Sequence, residues 1–207
     1  MVWTSLFLKT DDKKVLIIGT GEVACRRAEK FLKNGSNIIL VGNTIPKEFI
    51  QRGAILEKDK TPENIKKLVD WSDIVVIASG ESKLNEYVSS ISSEKLLNRA
   101  DYPEKGNLIV PTSFYIDDIQ ISIFTNGKSP LMARELRGKI QKAISDEDIL
   151  QIKLQDYARK ILKNKINNQK IRKKYLYKIL ENKDINNLLK KKKLEEAKEY
   201  VNNILNI

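Results

Sequence analysis

Histidine is absent from all 207 residues. That excludes Ser-His-Asp and Cys-His nucleophile systems and removes the commonest metal ligand. Cysteine occurs once, as Cys25, so no disulfide framework exists and a reducing cytoplasm is the expected compartment. One cysteine without histidine also argues against a structural zinc site, and no metal ligands are assigned. No run of about 18 apolar residues is present, so no membrane-spanning helix is expected. The opening Met1-Val-Trp-Thr-Ser-Leu-Phe-Leu-Lys9 lacks a basic start, a long apolar stretch and a small-residue cleavage site, and does not read as a signal peptide. Acid–base chemistry is left to Asp, Glu, Lys, Tyr, the substrate or water.

What the chain does have is 41% hydrophobic residues, enough for a real core. Its length suits one domain, or one domain with a smaller one appended. The net charge of +11 is unevenly placed. Residues 151–207 hold sixteen Lys and Arg against six Asp and Glu, whereas residues 1–150 are close to neutral. A basic block can attract a polyanion. Here the lysines spread over several helices with few aromatics between them, so solvated helix faces are the better account and nucleic acid is not an expected partner.

Hydrophobic patterning predicts alternating strands and helices. Lys14-Val-Leu-Ile-Ile-Gly19 reads as a buried parallel strand. Glu22–Lys33 reads as a helix with Val23, Ala24, Ala28, Phe31 and Leu32 on one face, closed by Asn34-Gly35. Asn37–Val41 is a second strand, which completes a βαβ unit. Strands at Gly53–Glu57, Asp73–Ala78 and Leu96–Asn98 alternate with helices at Glu63–Val69, led by Pro62, and at Ser82–Ser93. The expected fold class is α/β, a doubly wound Rossmann-type parallel sheet. From Asn107 the pattern changes to an antiparallel hairpin turning at Asp117-Asp118, then an Asn126-Gly127 turn and a helix from Pro130. From Asp146 onward three or four short helices are expected, with breaks near Asn164–Asn168 and Asn182–Asp184 and a turn at Lys190–Lys193. The expected division is a nucleotide-binding domain over 1–106, a dimerisation and substrate-cleft segment over 107–145, and a small all-helical C-terminal domain over 146–207.

Gly19-Thr-Gly21-Glu-Val-Ala24 fits G-x-G-x-x-A directly between a strand and a helix. Gly19 permits the tight turn, Gly21 lets the backbone approach a pyrophosphate, and Ala24 lets the helix pack close to the strand. The helix N-terminus offers free N–H groups and partial positive charge. A bare glycine pattern is weak, but its place inside a complete βαβ unit makes a nicotinamide dinucleotide the expected cofactor. An Asp or Glu usually ends the second strand for the ribose hydroxyls. Here Gly42-Asn43-Thr44 follows Val41. Asn43 can bond a hydroxyl but does not repel a 2′-phosphate, so the residues alone leave NAD and NADP open.

Several runs together resemble the precorrin-2 dehydrogenase family. They are the glycine loop, Ala78-Ser-Gly-Glu-Ser-Lys-Leu-Asn85, Asn98-Arg-Ala-Asp101, Ile109-Val-Pro111 and, most specifically, Ser122-Ile-Phe-Thr-Asn-Gly-Lys-Ser-Pro-Leu-Met-Ala-Arg134-Glu-Leu-Arg137. The resemblance runs the whole chain in order, including the helical tail of standalone members, with no methyltransferase following. It implies oxidation of precorrin-2 to sirohydrochlorin with NAD⁺, on the route to siroheme and related tetrapyrroles, by a homodimer whose post-Rossmann segment helps form the cleft. It places the catalytic aspartate on Asp101, NAD contacts on Glu22, Val23, Asn43 and Thr44, and a cleft position on Thr125. The chain departs from the family at Thr20, where a third glycine is common, and at Arg99-Ala100, where apolar residues are usual.

The implied chemistry agrees with the residues. Oxidation of the ring needs a hydride acceptor and a base, and without histidine a carboxylate after the fifth strand is the natural choice. The implied substrate is rich in carboxylates, which Lys128 and Arg134 suit, while Arg137 reads as a surface charge. Ser129-Pro130 reads as an N-cap and first helical residue. Two other readings are carried. One is a bifunctional enzyme that also inserts ferrous iron into sirohydrochlorin. The other is an NAD-sensing regulator with a basic tail, against which stands the lack of a helix-turn-helix signature.

Overall fold

A computed structural model describes residues 3–205, in two compact units that meet in sequence at Val110 and Pro111. In the first unit β1 (Lys14–Ile18), β2 (Asn37–Val41), β3 (Ile55–Glu57), β4 (Ile74–Ile77) and β5 (Leu96–Arg99) form a parallel sheet of order β3-β2-β1-β4-β5. Four helices cross between them, α1 (Glu22–Lys33), α2 (Lys47–Gln51), α3 (Pro62–Trp71) and α4 (Ser82–Ser90). Both sheet faces are covered. Val15, Ile17, Ile38 and Val76 pack with Ala24, Ala28 and Phe31 of α1 on one side. Leu16, Ile18, Val75 and Ile77 pack with Ile65 and Val69 of α3 and Val88 of α4 on the other. A strand buried on both faces is why β1 and β4 read as unbroken apolar runs.

β5 is an edge strand, and the returning chain closes its outer side. Asn107 Oδ1 accepts from the Leu97 N–H at 2.7 Å, and Asn107 Nδ2 donates to the Lys95 carbonyl at 2.8 Å. The N–H groups of Asn107 and Leu108 both donate to the Leu97 carbonyl at 3.0 Å.

The second unit opens with the expected hairpin, β6 (Thr112–Ile116) and β7 (Ile119–Ile123), pairing Phe114 with Ile121 across the turn at Asp117-Asp118. Asn126 and Gly127 both take positive φ, 51° and 74°, and deliver the chain to α5 (Pro130–Ala143). Ser129 caps this helix by accepting from the Met132 N–H at 3.1 Å. Four helices follow, α6 (Asp146–Lys165), α7 (Gln169–Leu180), α8 (Lys183–Lys190) and α9 (Leu194–Ile204). Each of the first three begins at a side-chain cap, on Ser145, Asn168 and Asn182, and Ser145 forms a complete capping box with Asp148. Their shared core is Leu154, Ala158, Ile179, Ile185, Leu189, Ala197 and Val201. No helix among the described residues is long and apolar enough to cross a membrane.

Candidate functional site

The loop between β1 and α1 is built by two glycines with different duties. Gly19 has φ +117°, and a Cβ there would stand 2.5 Å from the Ala78 carbonyl oxygen, so β1 and β4 can end side by side only if residue 19 has no side chain. Gly21 has an extended backbone open to any residue, φ −76° and ψ −179°, and a Cβ there would meet nothing of the protein within 4 Å. A side chain at residue 21 would therefore stand in open space.

Directly after it begins the 12-residue α1, whose N-terminus carries no side-chain cap. The N–H groups of its first turn therefore keep their donors for an anion. Glu22 and Val23 are both exposed in this turn. The sequence pattern places Val23 on the buried face with Ala24, but Val23 is 39% exposed and Ala24 is fully buried. One residue of helix turns the side chain by about 100°, and the buried arc is Ala24, Ala28 and Phe31. Asn43 and Thr44 lie exposed just past β2, the strand beside β1. An open glycine, an uncapped helix start and exposed amide and hydroxyl side chains suit the pyrophosphate and ribose of a dinucleotide. Cys25, the second turn's thiol, points back at the Thr20 carbonyl at 3.6 Å, and burial pushes it up, so it stays protonated.

Past β5, at the same C-terminal edge of the sheet, sits Asp101. It is far from being a loose turn residue. Arg99 Nε donates to Asp101 Oδ1 at 2.8 Å, and an Arg99 terminal nitrogen donates to Oδ2 at 2.7 Å. Asn85 Nδ2, from α4, donates to the same Oδ2 at 3.1 Å. Asn85 is itself buried and locked to Ser79 at the end of β4, accepting from its hydroxyl at 2.6 Å and donating to its carbonyl at 2.9 Å. Burial raises the Asp101 carboxyl, but the Arg99 bonds and the Asp101 and Tyr102 N–H groups outweigh it and leave the group below the ordinary aspartate value. The Asp101 side chain keeps 23% of its surface open.

Arg99 is one of the largest fully buried side chains in the protein. Its guanidinium also reaches Glu86 of α4 at 3.0 Å, and Glu86 in turn holds Lys105 at 3.1 Å. These charge partners lift Arg99 further above its already high value. Sequence reasoning singles out Asp101 but misses Arg99, Asn85 and Glu86 as its surroundings. The available signal was a polar pair, Asn98-Arg99, in a strand otherwise expected to be apolar.

Thr125, Lys128 and Arg134 lie in the second unit, around the start of α5. The Thr125 hydroxyl accepts from the Ser129 N–H at 3.3 Å and closes the turn over Asn126–Lys128. Lys128 and Arg134 are exposed and form no ion pair among the described residues. Arg137 is exposed on α5, a surface charge as expected, with its guanidinium 5.2 Å over the ring of the buried Phe114.

Residues 6–112 match the family described as "Putative NAD(P)-binding". The chain is 32% identical over 182 residues to a "Putative precorrin-2 dehydrogenase" of Methanocaldococcus jannaschii, covering 83% of this chain and 86% of that protein. It is 26% identical over 178 residues to the precorrin-2 dehydrogenase of Priestia megaterium, covering 82% and 84%. Siroheme synthases also match, for example that of Thioalkalivibrio sulfidiphilus at 28% identity, but this chain spans only 29% of its length. Among solved structures, SirC, a precorrin-2 dehydrogenase, superposes with a TM-score of 0.76 at 21% identity over 97% of this chain and all of that one, which fixes the fold. With an NAD(P)-binding sheet and this identity over most of both chains, the protein belongs to the precorrin-2 dehydrogenase family.

Proposed function

We infer that the protein oxidises precorrin-2 to sirohydrochlorin with NAD⁺ as acceptor, a step of siroheme and tetrapyrrole biosynthesis. The observation that carries this reading is the pairing of an uncapped glycine loop after β1 with a clamped, partly open carboxylate after β5, on one edge of one sheet. Ligands bind at that edge in folds of this class.

When bound, the dinucleotide supplies a two-electron hydride acceptor. The chain's own residues then have separate duties. Gly19 shapes the loop, Gly21 admits the pyrophosphate, and the first-turn N–H groups at Glu22 and Val23 hold it. Asn43 and Thr44 address the ribose hydroxyls. Asp101 presents a carboxylate to the ring that loses hydride and proton. Lys128 and Arg134, with Thr125 shaping the turn beside them, meet the substrate's carboxylates.

The functional division follows the same lines: nucleotide binding over 1–106, dimerisation and cleft formation over 107–145, and a helical domain over 146–207. Homodimerisation is supported by apolar side chains left on the surface of α5, with Leu131 67%, Met132 45% and Leu136 37% exposed. A single free cysteine and the biosynthetic assignment support a cytoplasmic location. The test is anaerobic incubation with precorrin-2 and NAD⁺, following NADH formation and the sirohydrochlorin spectrum together. No NADH above a no-enzyme control refutes the assignment. Rapid ferrous insertion in the same preparation would add a chelatase activity to the dehydrogenase.

A further inference from the structure

Arg99 occupies a position that an apolar side chain would fill at lower cost. Its strand neighbours Leu97 and Asn98 are buried, its side chain has no exposed surface, and one terminal nitrogen finds no hydrogen-bond partner among the described residues. A buried guanidinium in such a place is a net burden on stability unless its bonds are all well made. The burden sits beside Asp101. Both Asp101 oxygens are taken by the guanidinium in a side-on, two-point grip, the geometry that fixes a carboxylate in direction as well as in charge.

We propose that Arg99 is a positioning residue for the dehydrogenation, holding the Asp101 carboxylate in one fixed direction, aimed at the substrate ring. This rests on the reading of Asp101 as the group that meets the substrate. In the reaction one C–H bond breaks with its electron pair going to the nicotinamide, the ring is oxidised by two electrons, and a second hydrogen leaves as a proton. A clamped carboxylate is a weak proton store and a strong fixed charge. Its main service is to stabilise the positive charge that grows on the ring as hydride departs, with the proton passing on to water. Asn85 from α4 supports the same oxygen from the other side. Glu86 of α4 shares the guanidinium and Lys105 balances Glu86, so the cluster of Arg99, Asp101, Glu86 and Lys105 is neutral overall. Tyr102 also lies beside it, with its ring 5.6 Å from the Arg99 guanidinium.

Two measurements test this, one of which needs no activity. The Asp101 carboxyl is followed by carbon NMR on the whole protein labelled at aspartate, with Asp101→Asn to assign the signal. The wild-type group should titrate below the ordinary 3.8. Arg99→Lys, which keeps the charge but loses the two-point grip, should move it up by about half a unit or more. In the oxidation assay, Arg99→Lys should raise the acid limb of kcat by a similar amount and leave KM within about twofold. With a shift of that size kcat at pH 5 and above should change little through ionisation, and the two profiles should part only as the pH falls toward about 4. NADH binding and the melting transition serve as structural controls. A wild-type Asp101 that titrates at 3.8 or above overturns the proposal without any variant. So does an Arg99→Lys protein, folded and binding NADH, whose acid limb and NMR titration match wild type. If the wild type does not oxidise precorrin-2 while the NMR result is as expected, the grip stands and the functional reading fails.

Discussion

Gly19 and Gly21 are two residues apart, yet their substitution should fail in different ways. Gly21→Val places a branched side chain in open space on an extended backbone that valine readily adopts. The protein's own loss is confined to the cap position, where valine is poorer than glycine by up to about 1 kcal/mol. The dinucleotide loses more, because the pyrophosphate must lie against that backbone. NAD affinity should fall at least tenfold, about 1.4 kcal/mol or more. Gly19→Ala is the opposite case. Its φ of +117° is closed to alanine, and the new Cβ would stand 2.5 Å from the Ala78 oxygen and 2.8 Å from its carbon. Backbone strain alone is about 1–3 kcal/mol, and the contact adds to it, since both neighbours are backbone atoms of Ala78, directly after β4. A loss of that size lowers the melting temperature by roughly 2–8 °C per kcal/mol across domains of about 60–250 residues. Calorimetric NAD titration and thermal unfolding of both variants check the pair. Unchanged NAD binding by Gly21→Val, or equal destabilisation by both, refutes the assignment of duties in this loop.

Three further outcomes are expected. Asp101→Ala should bind NAD as before, at a lowered melting temperature because the buried Arg99 loses its partner, while losing about 10²–10³ in the rate of precorrin-2 oxidation, read by NADH formation; a loss under tenfold would move the chemistry elsewhere. Leu154→Ala, at the fully buried centre of the helical core, should cost about 2–5 kcal/mol, visible as an earlier loss of helix in thermal circular dichroism, and a shift under 1 kcal/mol would contradict that packing. Light scattering at micromolar concentration should give a dimer mass, and Leu131→Glu on the exposed face of α5 should shift it toward the monomer; a monomeric wild type would end the dimer proposal.

Much of the fold is legible because its signals are local. The bounds of α1 and β2 coincide with the periodic pattern, since Gly21 and Asn34-Gly35 mark the ends of the helix. The caps at Ser129 and the Asn126-Gly127 turn are likewise written in adjacent residues. Departures have physical causes. α2 is five residues long and buries only Phe49, too little for a period to show. Gly53, expected in β3, takes φ +89° and belongs to the preceding turn. α4 stops at Ser90 rather than Ser93, where the Ser90 and Ser92 hydroxyls bond back to the Tyr87 and Val88 carbonyls. The glycine loop is readable for the same local reason. Arg99 is not, because a charged residue at a strand end ordinarily reads as exposed. What buries it is Glu86 on another element and the carboxylate two residues on, and one-dimensional pattern carries neither.

The side chain of Asn107 has a consequence for how copies of this chain can meet. A bare parallel edge is a template on which another polypeptide can lay a strand, the first step of domain exchange and of fibrillar aggregation. By answering the outward N–H and carbonyl of Leu97 and the carbonyl of Lys95, one amide together with its own backbone takes the place that a foreign strand would need. The opposite border of the sheet is protected differently, by brevity, since β3 offers only three residues. Replacing Asn107 with alanine would leave the Leu97 N–H and the Lys95 carbonyl unanswered, and the damage would register in turbidity on concentration before it registered in catalysis.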